Sequence, residues 1–308
     1  MNLGLIGNCV VAGLVDGEGR LSWLCLPRLD DDPVFHALLG HGAGEPGDGA
    51  FAVELEGLAR VEQRYEENSA VLITELHGDG GSVEITDFAP RYESRGRMFR
   101  PSMVVRLVRP LSGWPRVRLR LRPRFDWGAE APRLTRGSNH VRFVGSGQVM
   151  RLTTDAPVDH LMDARVINLD RAMHFILGPD ETLEGGPGRT ATDMLEETTD
   201  YWRRWVRRLA LPLEWQDAVI RAAITLKLCT YEPTGGVVAA VTSSIPEAPG
   251  SERNWDYRYC WVRDAFFTVR ALNSLAATRT MENYFQWLMN LVAETNGAHI
   301  QPVLGIAL

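Results

Sequence analysis

Over the first 190 residues, hydrophobic and polar positions change in short runs of four to eight. Residues 10–15 and 20–26 are two β-rich runs joined by Asp16-Gly17-Glu18-Gly19, and an Asp-Gly pair between such runs predicts a hairpin. Residues 71–76 and 82–88 flank Gly78-Asp79-Gly80-Gly81 and predict a second. From Arg116 to Arg124 the alternation is strict, with Val117, Leu119 and Leu121 on one face and arginines on the other. That pattern predicts a strand with one buried and one solvated side. Residues 141–144, 149–153 and 171–177 predict further strands. Many short strands separated by Gly-rich turns predict an antiparallel β-sandwich over residues 1–190.

The period changes near Leu183. Glu184-Gly185-Gly186-Pro187-Gly188 reads as a linker. Leu195, Tyr201, Trp202, Trp205, Val206 and Leu209 then fall on one broad face of a helix over 191–212, which Pro212 ends. Acidic residues gather early in it and arginines late, as the helix dipole favours. A second helix is expected over 214–231, with Ala218, Val219, Ala222, Ala223, Leu226 and Cys229 on its stripe. A loop follows to Trp261, then helices over 265–276 and 281–294. The predicted organisation is two-domain: a β-sandwich (1–190), a linker helix (191–212) and an α-helical part (213–308).

Composition adds little to that picture. The chain has 308 residues, 45% apolar and 23% charged, enough for a sizeable core in two domains. A net charge of −6 gives no electrostatic case for nucleic acid or an anionic membrane as partner. Lys227 is the only lysine and receives no functional weight. Thirteen arginines between Arg91 and Arg136 follow the strand alternation and read as the solvated face of strands. Cys9, Cys25, Cys229 and Cys260 lack metal spacing and read as reduced, mostly buried thiols. No Lys or Arg precedes Arg20, and no segment is long and apolar enough to span a bilayer, so a cytoplasmic location is expected. No cofactor and no metal are expected, and the oligomeric state is open.

Candidate chemistry concentrates in Asn254-Trp255-Asp256-Tyr257-Arg258-Tyr259-Cys260-Trp261-Val262-Arg263-Asp264, eleven residues with four large aromatics and four charges. Aromatic faces beside carboxylates and guanidinium groups suit a pyranose, whose C–H faces stack and whose hydroxyls take bidentate partners. Each residue also has a plainer reading. Asp264 stands where it would cap the helix starting at Ala265. Arg263 would pair with Asp256 or Glu252, and Trp255, Tyr259 and Trp261 would be core residues of an extended segment. Glu247, Asp256 and Asp264 are the carboxylates at hand, and their spacing does not argue that two straddle a glycosidic bond.

These runs resemble glycoside hydrolase family 15, the glucoamylase and trehalase-like enzymes. Leu5-Ile6-Gly7-Asn8, Leu24-Cys25-Leu26-Pro27-Arg28 and Asp32-Pro33-Val34-Phe35 resemble the β-sandwich domain that precedes the catalytic domain in trehalase-like members. Thr242-Ser243-Ser244-Ile245-Pro246-Glu247-Ala248-Pro249 and the Asn254–Asp264 run resemble the family's opening substrate-binding loop, and Gln301-Pro302-Val303-Leu304-Gly305-Ile306 its next motif. The resemblance implies an α-glucoside or oligosaccharide substrate, with Arg263 and Asp264 hydrogen-bonding the non-reducing terminal sugar and Tyr257 and Trp261 lining that subsite. It also implies an exo-acting, inverting α-glucosidase on an (α/α)6 barrel, using two glutamates downstream of the Gln-Pro motif. Twelve helices need roughly 200 residues, whereas 96 run from Leu213 to Leu308. The expectation is an incomplete barrel in a truncated chain, inactive by itself, with general acid and base beyond Leu308. The alternative is a non-catalytic carbohydrate-binding or interaction remnant.

Overall fold

The computed structural model describes residues 2–40, 48–243, 251–294 and 299–307. The chain divides into two compact units, Met1–Tyr201 and Trp202–Leu308.

A small two-stranded sheet, Tyr92–Ser94 with Arg97–Phe99, and two large antiparallel sheets are described in the first unit. One has seven strands, in the order Leu3–Gly7, Ala12–Asp16, Leu21–Cys25, Ala50–Leu55, Arg116–Arg122 and Val166–Asn168, with Pro33–His36 also paired to Leu21–Cys25. The other has eight: Arg133–Arg136, His140–Val144, Val149–Thr154, Met173–Pro179, Val104–Gly113, Gly81–Phe88, Leu72–Gly78 and Leu58–Tyr65. Both expected hairpins form, Gly13 facing Leu24 in the first and Leu72 facing Asp87 in the second. The sheets meet face to face. Phe51 of one packs edge-on against Phe175 of the other, with ring centroids 5.4 Å apart.

Alternation along the strands decides which side chains enter that interior. Arg106 and Phe175 point in, while their neighbours Val105 and Ile176 point to the opposite face, where Ala191 and Met194 of a long helix cover them. The eight-stranded sheet is therefore buried on two faces near its centre. This explains why Gly81–Phe88 ends in six consecutive buried residues instead of alternating.

The arginine pattern divides accordingly. Between Arg116 and Arg122 the arginines do take the outer side, pairing with Glu54 and Glu56, while Val117, Leu119 and Leu121 are buried. The solvated-face reading fails for Arg91 and Arg106, which are fully buried. Arg91 donates to the Asn8 carbonyl at 2.7 Å and lies over the Tyr201 ring, and Arg106 is gripped by Asp87. A lone arginine among strand residues does not reveal which face it takes once both faces are covered.

Asp155 bridges the strand end to its neighbour, accepting from the His174 backbone N–H at 2.8 Å and meeting His174 Nδ1 at 2.8 Å. Burial pushes its carboxyl up, but the two His174 hydrogen bonds and the nearby positive charge outweigh that and hold it below its ordinary value. A depressed folded value means Asp155 stabilises above the unfolded value of about 3.9 and stops doing so as pH falls through the folded one. Asp155→Asn is expected to flatten the acid limb of a stability–pH curve below about pH 4. An unchanged limb in urea titrations would refute the assignment.

Five α-helices occur among the described residues: α1 (Val158–Met162), α2 (Pro187–Val206), α3 (Gln216–Leu228), α4 (Val262–Ser274) and α5 (Thr278–Glu294). Expected helix bounds are corrected at four of them: α2 ends at Val206 and not at Pro212, and α3 runs over Gln216–Leu228 and not 214–231. Pro187 and Gly188 belong to α2 and not to a linker, since proline suits a first helical turn where its missing N–H costs nothing. Helices α4 and α5 each begin three residues early.

The stripe on α3 is also rotated from expectation. Ala218 and Ala222 are exposed, and Ile220, Ala223, Ile224, Lys227 and Leu228 are buried. The sole lysine is thus a core residue, its ammonium 2.6 Å from Glu232 and hydrogen-bonded to Thr280 at 3.3 Å. On α4 the buried stripe is Ala265, Val269 and Leu272, and on α5 Tyr284, Trp287 and Leu291. Phe266, Phe267, Phe285 and Met289 are exposed. All four cysteines are free, three buried and Cys229 partly so.

Candidate functional site

The second unit folds its Asn254–Asp264 run back on the preceding chain. Ala240 donates to the Tyr257 carbonyl at 2.8 Å and Ala239 to that of Tyr259 at 3.1 Å, so residues 239–243 run antiparallel to 256–259. The next two residues, Cys260–Trp261, pair with Val303–Leu304, and the Val262 N–H donates to the Pro302 carbonyl at 3.1 Å. Two motifs forty residues apart in sequence therefore lie side by side, a juxtaposition that no local pattern encodes.

That pairing also sets where α4 begins. Trp261 is its N-cap residue, with extended backbone and no side-chain cap. Asp264 is then the third helical residue, so the capping reading is corrected. A carboxylate there is still favoured by the positive end of the helix dipole. Arg263 pairs with Asp264 at 3.1 Å, and not with Asp256 or Glu252. The pair is open to solvent, with side-chain exposures of 73% and 38%. The core reading of the aromatics fails too: Trp255 and Tyr259 are 45% and 42% exposed.

Aromatic rings gather in the residues just before the pair. Trp261 stands 6.1 Å from Trp255, nearly perpendicular to it, and 6.3 Å from Tyr257. Cys260, between Tyr259 and Trp261, is fully buried, and burial pushes its thiol up to about 11. It is inert packing and takes no part in chemistry.

The element that positions these rings is one the sequence reading missed. Arg258 is almost wholly buried and clamps Asp256, Nε to Oδ1 at 3.0 Å and Nη2 to Oδ2 at 2.8 Å, while its backbone N–H also donates to Oδ1. The carbonyl of Asp256 in turn accepts from the Trp261 indole N–H at 3.2 Å. A carboxylate two residues before a residue whose N–H it caps is an Asx-turn, and Asp-Tyr-Arg was the available signal. Arg258→Ala is expected to cost about 1–3 kcal/mol and to weaken the near-ultraviolet dichroism of the Trp255–Tyr257–Trp261 cluster. Arg258→Lys keeps the charge but loses the fork, so it should restore only part of both signals. Spectra identical to wild type would show the clamp holds nothing in place.

Of the three carboxylates considered, Glu247 lies outside the described residues. Both oxygens of Asp256 are taken by Arg258, and Asp264 faces Arg263. A different cluster emerges in the first unit, where Glu62, Glu75 and His77 bring potential ligand atoms within 4.8 Å of one another. Each is already engaged, Glu62 by Arg60, Glu75 by Arg64 and His77 by Ser82. No described helix is long and apolar enough to cross a membrane.

The comparisons with known proteins follow the same division. Residues 2–169 match the family described as trehalase-like, N-terminal, and residues 215–307 match glycosyl hydrolases family 15. The chain is 31% identical over 302 residues to a trehalase of Thermoplasma volcanium, covering 95% of this chain and 47% of that protein. It is 29% identical over 334 residues to a trehalase of Mycolicibacterium smegmatis, covering 98% and 49%. A crystal structure of a bacterial glucoamylase complexed with acarbose superposes with a TM-score of 0.62 at 12% identity, over 99% of this chain and 52% of that one. That likeness establishes a shared fold, β-sandwich followed by helices. The chain spans about half the length of the curated relatives it matches. With one family match covering more than half of its residues and the other covering its helical unit, the chain belongs to glycosyl hydrolases family 15, with a trehalase-like N-terminal part.

Proposed function

We propose that this chain carries the sugar-gripping part of an exo-acting, inverting α-glucosidase. In this reading Arg263 and Asp264 hold the distal hydroxyls of the non-reducing terminal glucose, and Trp261 and Tyr257 wall the same subsite. Residues 1–190 serve as the sandwich domain, 191–212, which holds most of α2, as the connecting segment and 213–308 as the first portion of the catalytic barrel. The observation that carries it is a solvent-open Arg263–Asp264 pair at the start of α4, directly after the Trp255–Tyr257–Trp261 cluster that the Arg258 clamp supports.

A guanidinium and a carboxylate on the outermost hydroxyls leave no space for a further sugar beyond them, which makes cleavage start from a chain end. Hydrolysis with inversion needs a carboxylic acid to protonate the glycosidic oxygen and a carboxylate on the opposite face to activate water. Asp256 and Asp264 are both engaged by arginines and suit neither role. The acid and base are assigned to the part of the relatives' length that this chain does not span. An α-glucoside is the substrate class, and the trehalase relatives favour trehalose within it.

Calorimetric titration of the 308-residue chain with glucose, maltose and trehalose tests the reading. All three should bind, because each presents a terminal glucose. Absence of heat with every one of the three sugars would overturn it.

A further inference from the structure

The first unit contains a cleft of about 660 Å³ that none of the residues discussed above as sugar ligands touches. It opens between the hairpin Tyr92–Ser94/Arg97–Phe99, the end of the strand Met173–Pro179 and the first turns of α2. Its volume is within the range of small-molecule sites.

One wall is aromatic. Tyr92 and Phe99 stack with centroids 4.8 Å apart, tilted by 37°, and both remain partly exposed over a floor of Met103 and Ile176. Burial, then the carboxylates of Glu197 and Asp193, push the Tyr92 hydroxyl up, so it stays a neutral donor and acceptor. The rest of the lining is largely polar. Glu181 and Thr182 stand exposed on the rim, making no side-chain hydrogen bond or ion pair among the described residues. Arg151, nearly buried, donates to Thr153 Oγ1 at 3.1 Å.

Charge selects among ligand classes. The lining carries Arg151 and Arg189 with Glu181, Glu184 and Asp193. Arg151 lies 3.9 Å from Asp180 and Arg189 3.6 Å from Asp193, so neither cation is left over for an anion and the lining favours a neutral ligand. A tilted aromatic pair in one cleft with several independent hydrogen-bonding groups matches a neutral ring with apolar C–H faces and equatorial hydroxyls. We propose that this cleft is an accessory site for a neutral saccharide of one or two glucose-sized rings. It stands independently of the role proposed for Arg263 and Asp264.

Saturation-transfer NMR and calorimetry on the 308-residue chain, with maltose as probe, test it. Maltose should receive saturation in wild type and keep part of it in Asp264→Ala, where the cleft is the site that remains. Its affinity for the remaining site should fall about tenfold in Tyr92→Ala and in Phe99→Ala, with inorganic phosphate failing to compete. Glu181→Ala, on an exposed rim, repeats the test without touching the aromatic pair if either ring variant loses its fold by circular dichroism. Unchanged binding in these variants, loss of all transfer in Asp264→Ala alone, or displacement of maltose by phosphate would each overturn the assignment. Failure of the Arg263–Asp264 reading would show separately, as a titration of wild type that Asp264→Ala leaves unaltered.

Discussion

Asp87→Ala is expected to lower folding stability by about 3–5 kcal/mol, the usual cost of leaving one member of a buried ion pair alone. Asp87 and Arg106 lie between the two sheets with side-chain exposures of 1% and 3%. Arg106 donates Nε to Oδ1 at 2.7 Å and Nη2 to Oδ2 at 3.0 Å. Its remaining donors reach the Phe51 carbonyl at 2.6 Å and the Gly19 carbonyl at 2.9 Å on the facing sheet. The guanidinium also lies 4.8 Å from the Phe51 ring centroid. Removing the carboxylate strands a positive charge that water cannot reach, while the two carbonyls replace only part of what is lost. The effect should appear as a fall in Tm of roughly 10 °C or more. Replacing both partners together, Asp87→Leu with Arg106→Met, should cost much less, because no charge is then left unpaired. A single variant within 1 kcal/mol of wild type by urea unfolding would show that water enters the sandwich at this point.

Asp264→Ala is expected to reduce affinity for trehalose and maltose roughly 10- to 150-fold, equivalent to about 1.5–3 kcal/mol for hydrogen bonds to a charged group. The carboxylate is on the surface of the first turn of α4 and supports nothing beneath it, since the buried stripe is Ala265, Val269 and Leu272. Stability should therefore change only by the helix-dipole contribution of about 0.3–1 kcal/mol. Asp264→Asn keeps one acceptor and should fall between the two. The combination of lost affinity with a nearly unchanged Tm separates a ligand-binding role from a structural one. Affinity equal to wild type would remove Asp264 from the site.

Much of the first unit was legible because strand periodicity and turn chemistry are local. The Asp-Gly hairpin, the Gly-rich turn before Ser82 and the alternation of Val117, Leu119 and Leu121 each depend on residues a few positions apart. The candidate run was legible for a similar reason, since eleven consecutive residues carry both aromatic rings and charges. Its plainer readings were not separable at that level. Whether Asp264 caps a helix depends on where the helix begins, and that start is set by Cys260–Trp261 pairing with Val303–Leu304. Helix α3 shows the same limit. Alanines on both sides of its axis left the stripe undefined, and the ion pair with Glu232 drew Lys227 into the core.

By itself the amino-acid order determined the two-part architecture, the hairpins, and the segment where aromatic and charged groups concentrate, because each of these follows from backbone preferences and spacing within a short window. The tertiary structure alone decided which face of a doubly covered sheet an arginine takes, that Arg258 locks Asp256, and that Gln301-Pro302 lies beside Val262. Those outcomes depend on desolvation and pairing between residues distant in sequence, whose partners exist only after the chain has closed on itself.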